Sequence, residues 1–246
     1  MSIVKQAKFY MKGKNVIPKY FYTEEEAIRY ENYIRFHIGD FEKVYHELYS
    51  PDIHLDILVI PPTKECNYYK LVTEGMGAYK MNVPDLIKNE EMDRAELIIY
   101  LPPTVNLKDI TKKYGWVISQ LKILSRIPIE EKSWIGFGHT FAHDVRADTN
   151  FSDKTNFSAS ILIEALDKIQ DEMVYYLKEK ERINFYQVIP LYKEEYLFQK
   201  TNGTDALLQK FIDNKMSLVV DENRKNLCLE LDKEISEDNI EEEMDI

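Results

Sequence analysis

Residues 46–81 of the chain read HELYSPDIHLDILVIPPTKECNYYKLVTEGMGAYKM. Within it, the apolar run His54–Ile60 predicts a strand that is buried on both faces, because a strand with one solvated face would alternate apolar and polar residues. A Pro-Pro pair at 61–62 ends this strand, since proline lacks the N–H group that a central strand needs. The segment Tyr68–Thr73 then predicts another strand.

A second apolar run, Arg94–Leu101, is also followed by a Pro-Pro pair and predicts another buried strand. If the two Pro-Pro strands run parallel, both ends emerge at one edge of the sheet, where loops on a rigid scaffold are free to carry function. Shorter segments predict further strands at Lys43–Leu48, Trp134–Phe141, Ser158–Ile163, Met173–Leu177 and Ile183–Tyr192.

Helix signals lie between these segments. A capping-box pattern at Thr23–Glu26 begins the first predicted helix, and Gly39 ends it. Asn106 is placed to cap a second helix, whose apolar stripe runs from Leu107 to Leu124 at helical spacing. Thr204 is placed to cap a short third helix. Strands and helices alternate irregularly, so the expected fold class is α/β, close to α+β, with a mixed β-sheet and helices packed on it.

The charge of the chain is concentrated at its C-terminus. The formal net charge is −11, and residues 230–246 contain nine acidic residues and one lysine. The rest of the chain is nearly neutral, which argues against direct nucleic-acid binding, because neutralising phosphates needs clustered Lys and Arg. We therefore expect one domain over residues 1–229 and an acidic, disordered tail over residues 230–246.

Removing this tail provides a first test. Deletion of residues 230–246 is expected to leave the melting temperature within about 2 °C of that of the full chain, because no core contact is lost. Calorimetry of the two forms measures the difference. A drop of about ten degrees would show instead that the tail is structural.

The sequence also indicates where the protein works. Its longest apolar runs are far shorter than the roughly 20 residues that cross a bilayer, and its N-terminus lacks the apolar stretch of a signal peptide. The two cysteines, Cys66 and Cys228, are too few for a disulfide framework. We expect a cytoplasmic protein with free thiols that does not contact a membrane.

A metal-dependent hydrolase is one possible function. His54 and Asp56 lie two apart in a strand and share one face, and His139 adds a third residue of a type that binds zinc or manganese. No dense ligand motif such as HExxH supports this hypothesis. The alternative is that Asp56 and His54 form hydrogen bonds inside the sheet or at its rim. The chain also lacks a nucleophile elbow and a glycine-rich phosphate loop, so no cofactor is expected.

The stretch 46–81 closely resembles the signature of the suppressor-of-fused domain family. The resemblance begins with His54-x-Asp56, the Pro61–Glu65 segment and Gly75-Met76-Gly77. It spans about residues 20–226 and continues with Arg94-Ala95-Glu96-Leu97, Tyr100-Leu101-Pro102-Pro103, Trp116, Leu121, Gly138-His139, Ile189-Pro190-Leu191, residues 203–208 and Asp221-x-x-Arg224. The resemblance implies a mixed α/β fold without catalysis or a cofactor.

The family also implies a function. Its animal members bind a zinc-finger transcription factor between two domains and retain it in the cytoplasm. We expect no second domain within these 246 residues. Short, single-domain bacterial-type members resemble immunity proteins that neutralise secreted toxins. The resemblance thus implies a non-enzymatic immunity protein that binds a toxin stoichiometrically and occludes it. A regulatory scaffold without a toxin partner is the open alternative.

The residues between the Pro-Pro pair and the glycine-rich turn are the candidates for partner binding. Tyrosine and methionine are favoured at protein interfaces, because they bury much area and adapt to their surroundings. We therefore expect Lys64, Glu65, Tyr68 and Met76 to line the recognition surface. The alternative is that these residues belong to a β-hairpin that packs in the core.

Overall fold

The structure, a computed structural model, describes residues 18–47, 52–87, 90–166, 173–179 and 181–229. The chain divides into two compact units that alternate along the sequence. Among the described residues, unit 1 lies within 18–139 and 162–189, and unit 2 lies within 140–161 and 190–229. The expected boundary at residue 229 stays a prediction, because the tail of residues 230–246 lies outside the described residues.

The described residues form six α-helices and eight strands. The helices are α1 (Glu24–His37), α2 (Ile110–Lys113), α3 (Gly115–Leu124), α4 (Ile127–Glu130), α5 (Lys193–Asn202) and α6 (Thr204–Asp213). The strands are β1 (Lys43–Tyr45), β2 (Asp56–Ile60), β3 (Tyr69–Glu74), β4 (Ala95–Leu101), β5 (Thr140–Ala142), β6 (Ala159–Glu164), β7 (Val174–Lys178) and β8 (Glu181–Leu191). Among the helices described, none has the length and apolar character needed to cross a membrane.

The strands form one mixed sheet. Their order is β1-β2-β3-β4-β8-β6-β5, and β7 pairs with β8 outside this path. The pairs β1–β2, β2–β3 and β3–β4 are antiparallel, whereas β4 and β8 are parallel. The expected fold class, an α/β fold close to α+β with helices on a mixed sheet, is confirmed.

The two strands that precede Pro-Pro pairs run in the same direction. Each of them, β2 and β4, is antiparallel to β3, which lies between them. Every residue of both strands is buried, as their continuous apolar sequences predict. The pairs at 61–62 and 102–103 therefore emerge together, and we call this edge of the sheet the Pro-Pro edge.

The first helix packs on this sheet. The predicted capping box is present, since the N–H of Glu26 donates to Thr23 Oγ1 at 3.3 Å and the N–H of Thr23 donates to Glu26 Oε2 at 2.9 Å. The buried face of α1 includes Tyr30, whose hydroxyl donates to the carbonyl of Thr73 on β3 at 2.7 Å. The helix is thereby fixed on the sheet by apolar packing and by a buried hydrogen bond.

Several predicted elements differ from the structure. The second helix is split at Tyr114 into α2 and α3, and Asn106 caps neither, because its side-chain oxygen accepts the N–H of Lys108 at 3.0 Å. The predicted strand Trp134–Phe141 is wrong over most of its length, since only its last two residues belong to a strand, β5. Gly138 has a φ of 80°, which places a turn before that strand.

Candidate functional site

A groove with a volume of about 530 Å³ opens at the Pro-Pro edge. Its floor contains Ile60, Lys70 and Tyr100, which are direct cross-strand neighbours on β2, β3 and β4. The C-terminal end of α1, residues 37–39, forms one side, and the loop after β2 forms another. The groove therefore runs across the ends of three strands.

A buried cation lies in this floor. Lys70 is 7% exposed, and its ammonium donates to the carbonyl of Ile38 at 2.9 Å. This carbonyl ends α1, where the helix dipole favours positive charge. The same ammonium lies 5.8 Å from the centre of the Tyr68 ring. Lys70 thus joins the helix end to the sheet and gives the groove a charged centre.

The loop after β2 has a defined conformation. The N–H of Thr63 donates to the carbonyl of Cys66 at 2.9 Å, and the N–H of Cys66 donates to Thr63 Oγ1 at 3.1 Å. Tyr68 follows, and its ring centre lies 4.8 Å from that of Tyr100. Burial, together with the neighbouring Cys66, raises the pKa of Tyr68 to about 12, so its hydroxyl stays protonated at neutral pH. This loop holds the side chain of Tyr68 beside the groove.

The four residues predicted to bind a partner do not all lie together. Glu65 and Tyr68 line the groove, and Lys64 is exposed on the same loop. Met76 lies beyond the opposite end of β3 and is 2% exposed. It is buried because the turn that carries it is drawn inward by hydrogen bonds from its backbone to Glu96. Met76 therefore does not belong to the surface that the other three form.

Other parts of the groove were not predicted. The helix end at residues 37–39, Lys70 and Tyr100 all line it, as do Leu166 and Met173. Leu166 is 44% exposed and adds an apolar side chain to the margin of the groove. The sequence carries no signal for these contributions, because they come together only through strand pairing and helix packing.

The His54-x-Asp56 motif lies at the other end of β2. Asp56 is fully buried, and its carboxylate is 2.9 Å from His46 Nδ1 and 3.3 Å from His54 Nε2. It also accepts the N–H of Glu47 at 3.3 Å. Burial alone would raise the pKa of Asp56, but the contacts with the two histidines outweigh it and lower the pKa. The hydrogen bond to Asp56 likewise raises the pKa of His46 against the effect of its own burial.

These contacts fit a structural role better than a metal site. Within the described parts of the chain, no group of three or more His, Cys, Asp or Glu side chains could hold a metal ion. The ring of His139 packs edge-on against Trp134, with ring centres 4.4 Å apart. Asp56 instead fastens the segments that precede β2 to the sheet through side-chain and backbone donors.

Comparisons with known proteins agree with this fold. The family model for the suppressor of fused protein (SUFU) matches residues 51–225. An uncharacterized protein of Ureaplasma parvum serovar 3 is 27% identical over 215 residues, which cover 84% of this chain and 98% of the relative.

Solved structures show the same architecture. A putative SUFU homolog from Neisseria gonorrhoeae superimposes with a TM-score of 0.55 at 16% identity, covering 84% of this chain and 96% of that one. A chain of the Sufu–Fu complex superimposes with a TM-score of 0.55 at 11% identity, covering 84% of this chain and 92% of that one. Because the family model spans well over half of the sequence and the sheet has the same fold, this chain belongs to the suppressor of fused protein family.

Proposed function

We propose that this chain is a non-enzymatic protein-binding module that works in the cytoplasm as an immunity protein. Its partner is a toxin, which it neutralises by stoichiometric binding and occlusion. The observation that carries the proposal is the groove at the Pro-Pro edge, bordered by Glu65 and Tyr68. The structure of the Sufu–Fu complex offers a precedent for partner binding within this fold.

The chemistry of the groove suits a protein partner. Apolar and polar groups alternate along it, with Ile60 and Lys70 side by side in the floor and Leu166 at the margin. Phe36 is 80% exposed, and its ring centre lies 4.9 Å from that of His37, which lines the groove. Exposed apolar side chains around a concave surface are typical of interaction sites.

The proposed surface also has the parts that a specific interface needs. Tyrosine side chains often dominate binding energy, and Tyr68 stands where the loop meets the groove. Lys64 and Glu65 supply charges at the margin, where charge complementarity selects the partner and speeds association. An interface of standard size buries about 800 Å² on each protein, which extends beyond the groove onto the surrounding loops.

Substitution of Tyr68 tests this surface. The probe is the purified product of a toxin gene encoded beside the gene for this chain. Tyr68→Ala is expected to weaken its affinity about 10- to 30-fold, because it removes a large aromatic contact worth roughly 1.4–2 kcal/mol. Calorimetric titration measures the affinity, and circular dichroism checks that the variant folds.

The control for Tyr68→Ala is a substitution away from the groove. Leu86 is fully exposed and does not line the groove, so Leu86→Ala is expected to leave the affinity unchanged. If Tyr68→Ala folds and binds as tightly as Leu86→Ala, the binding surface lies elsewhere. If no toxin gene adjoins this gene, the alternative of a regulatory scaffold gains support. Stoichiometric zinc or manganese in the purified protein would favour the hydrolase hypothesis instead.

A further inference from the structure

Three carboxyl groups are buried where β2 begins and β3 ends. Asp56 and Glu96 are fully buried, and Glu74 is 3% exposed. Asp56 and Glu74 are directly opposite each other in the antiparallel pair of β2 and β3. A buried carboxylate is costly unless it is paired or receives several hydrogen bonds, so each of the three needs a physical account.

Two of these three buried carboxyl groups accept hydrogen bonds from nearby donors. Asp56 is held by His46 and by the N–H of Glu47. Glu96 accepts four hydrogen bonds of 2.5–3.0 Å. The donors to Glu96 are the hydroxyl groups of Tyr22 and Thr73 and the backbone N–H groups of Gly75 and Gly77. Both groups are thus equipped to accept hydrogen bonds inside the fold.

Glu74 has no such support. Both of its carboxyl oxygens are buried, and neither has a hydrogen-bond partner among the described residues. The groups that face it are Glu31 and Tyr30 on α1, Asp56 on β2, Glu96 on β4, and Tyr22 ahead of α1. Every ionisable neighbour in this set is a carboxyl or a phenol, and none is a cation. The surroundings therefore favour the uncharged form of Glu74.

We propose that Glu74 is a proton-binding site built into the fold, and that its protonation acts as a latch on the packing of β2, β3 and α1 by keeping a second negative charge out of this buried site. The latch is closed while Glu74 is a neutral carboxylic acid. When the proton leaves, a second negative charge forms opposite Asp56 in the buried interior, and this part of unit 1 loosens.

The backbone beside Glu74 explains why the charge cannot be accommodated without movement. Gly75 follows it with a φ of +121°, a conformation that favours glycine. A Cβ atom at Gly75 would lie 1.9 Å from the carbonyl oxygen of His54, so the two segments are in close contact. Hydrating a carboxylate at Glu74 requires these segments to separate.

The direction of the pH dependence follows from the same environment. Burial, and then the charges of Glu31, Asp56 and Glu96, raise the pKa of Glu74 well above its usual value of 4.5. When folding raises the pKa of a group, the group makes its full contribution to stability at pH values below its pKa in the unfolded state. That contribution is lost as the pH rises from about 4.5 towards the pKa in the folded state.

Thermal unfolding between pH 5 and pH 8 tests the latch. Glu74→Gln keeps the shape of the side chain but cannot ionise, and Glu74→Met removes the titratable group without polarity. The melting temperature of the wild type is expected to fall relative to both variants as the pH rises, by about 3 °C or more at pH 8. Glu25→Gln, which removes an exposed carboxylate, should follow the wild type. Parallel curves for the wild type and both Glu74 variants would overturn the proposal.

Infrared spectroscopy supplies a second readout that does not depend on variant stability. The wild type at pH 7 is expected to show the C=O stretch of a protonated carboxylic acid, and Glu74→Gln or Glu74→Met should lose part of it. If the wild type shows only ionised carboxylates at pH 7, Glu74 carries a charge in the folded state and the latch does not exist.

Discussion

Arg224→Ala is expected to lower the free energy of unfolding by about 3–5 kcal/mol, because it leaves a buried carboxylate without its cation. Glu195 on α5 is fully buried, and the guanidinium of Arg224 donates to its two oxygens at 2.5 and 2.6 Å. The paired, planar geometry makes this one of the stronger types of ion pair. The guanidinium also donates to the carbonyl of Pro190 at 2.9 Å.

The contacts of Arg224 and Glu195 in unit 2 extend beyond this ion pair. Glu195 also accepts the N–H groups of Tyr192 and Leu227, both at 3.1 Å. The guanidinium carbon lies 4.7 Å from the ring centre of Tyr192 and 5.1 Å from that of Phe157. Loss of the arginine therefore disturbs β8, α5 and the segment beyond α6 together.

Urea unfolding measures the effect of this substitution. Arg146 is a matched control in the same unit, since its side chain is 68% exposed and its Nε lies 3.9 Å from Asp148 Oδ2. Arg146→Ala should change the free energy of unfolding by no more than about 0.5 kcal/mol. A loss below about 1 kcal/mol for Arg224→Ala would contradict the structural role assigned to this pair.

Asp56→Ala is expected to destabilise the protein by about 1–3 kcal/mol, because it leaves the donors around a fully buried carboxylate without an acceptor. The lowered pKa of Asp56 means that its contribution is present above its usual value of 3.8 and is lost as the pH falls through the folded value. The raised pKa of His46 means that the contribution of this group is present below 6.5 and is lost as the pH rises through its folded value. The penalty should therefore be largest between about pH 4 and pH 6.5.

Unfolding of Asp56→Ala at pH 5.5 and pH 8 measures both the size of the destabilisation and the direction of its pH dependence. Asp40→Ala is the control, since the side chain of Asp40 is 84% exposed and pairs with Arg35 at the surface. A variant at Asp56 that is fully stable but loses a measurable activity would favour the hydrolase hypothesis. A penalty that is greater at pH 8 than at pH 5.5 would contradict the assigned role of His46.

The elements that could be predicted from the sequence are those with strong local signals. The buried strands β2 and β4 have continuous apolar runs that end at proline, and α1 has a capping box followed by apolar residues at helical spacing. By contrast, α5 was not predicted, because its sequence KEEYLFQKTN is largely polar and its buried residues include Glu195. Such a helix forms because of tertiary contacts, which here hold that glutamate, and not because of a local sequence signal.

The candidate site was predictable only in part. The loop with Lys64, Glu65 and Tyr68 follows a Pro-Pro pair, so its position at a strand end could be inferred. The groove itself depends on strand pairing, which places Ile60, Lys70 and Tyr100 in one row. Met76 was misplaced because methionine is as common in cores as at interfaces, and its burial depends on Glu96, twenty residues further along the chain.

If this chain is an immunity protein as proposed, it inhibits a toxin by binding it and not by acting on it. The most direct measurement is a titration of the activity of the neighbouring toxin with increasing amounts of the purified chain. The activity of the toxin is expected to fall in proportion to the amount of chain added and to be abolished at a ratio of one to one, with the mass of the toxin unchanged. Inactivation by far less than one equivalent, a covalent change in the toxin, or full activity in excess chain would contradict it.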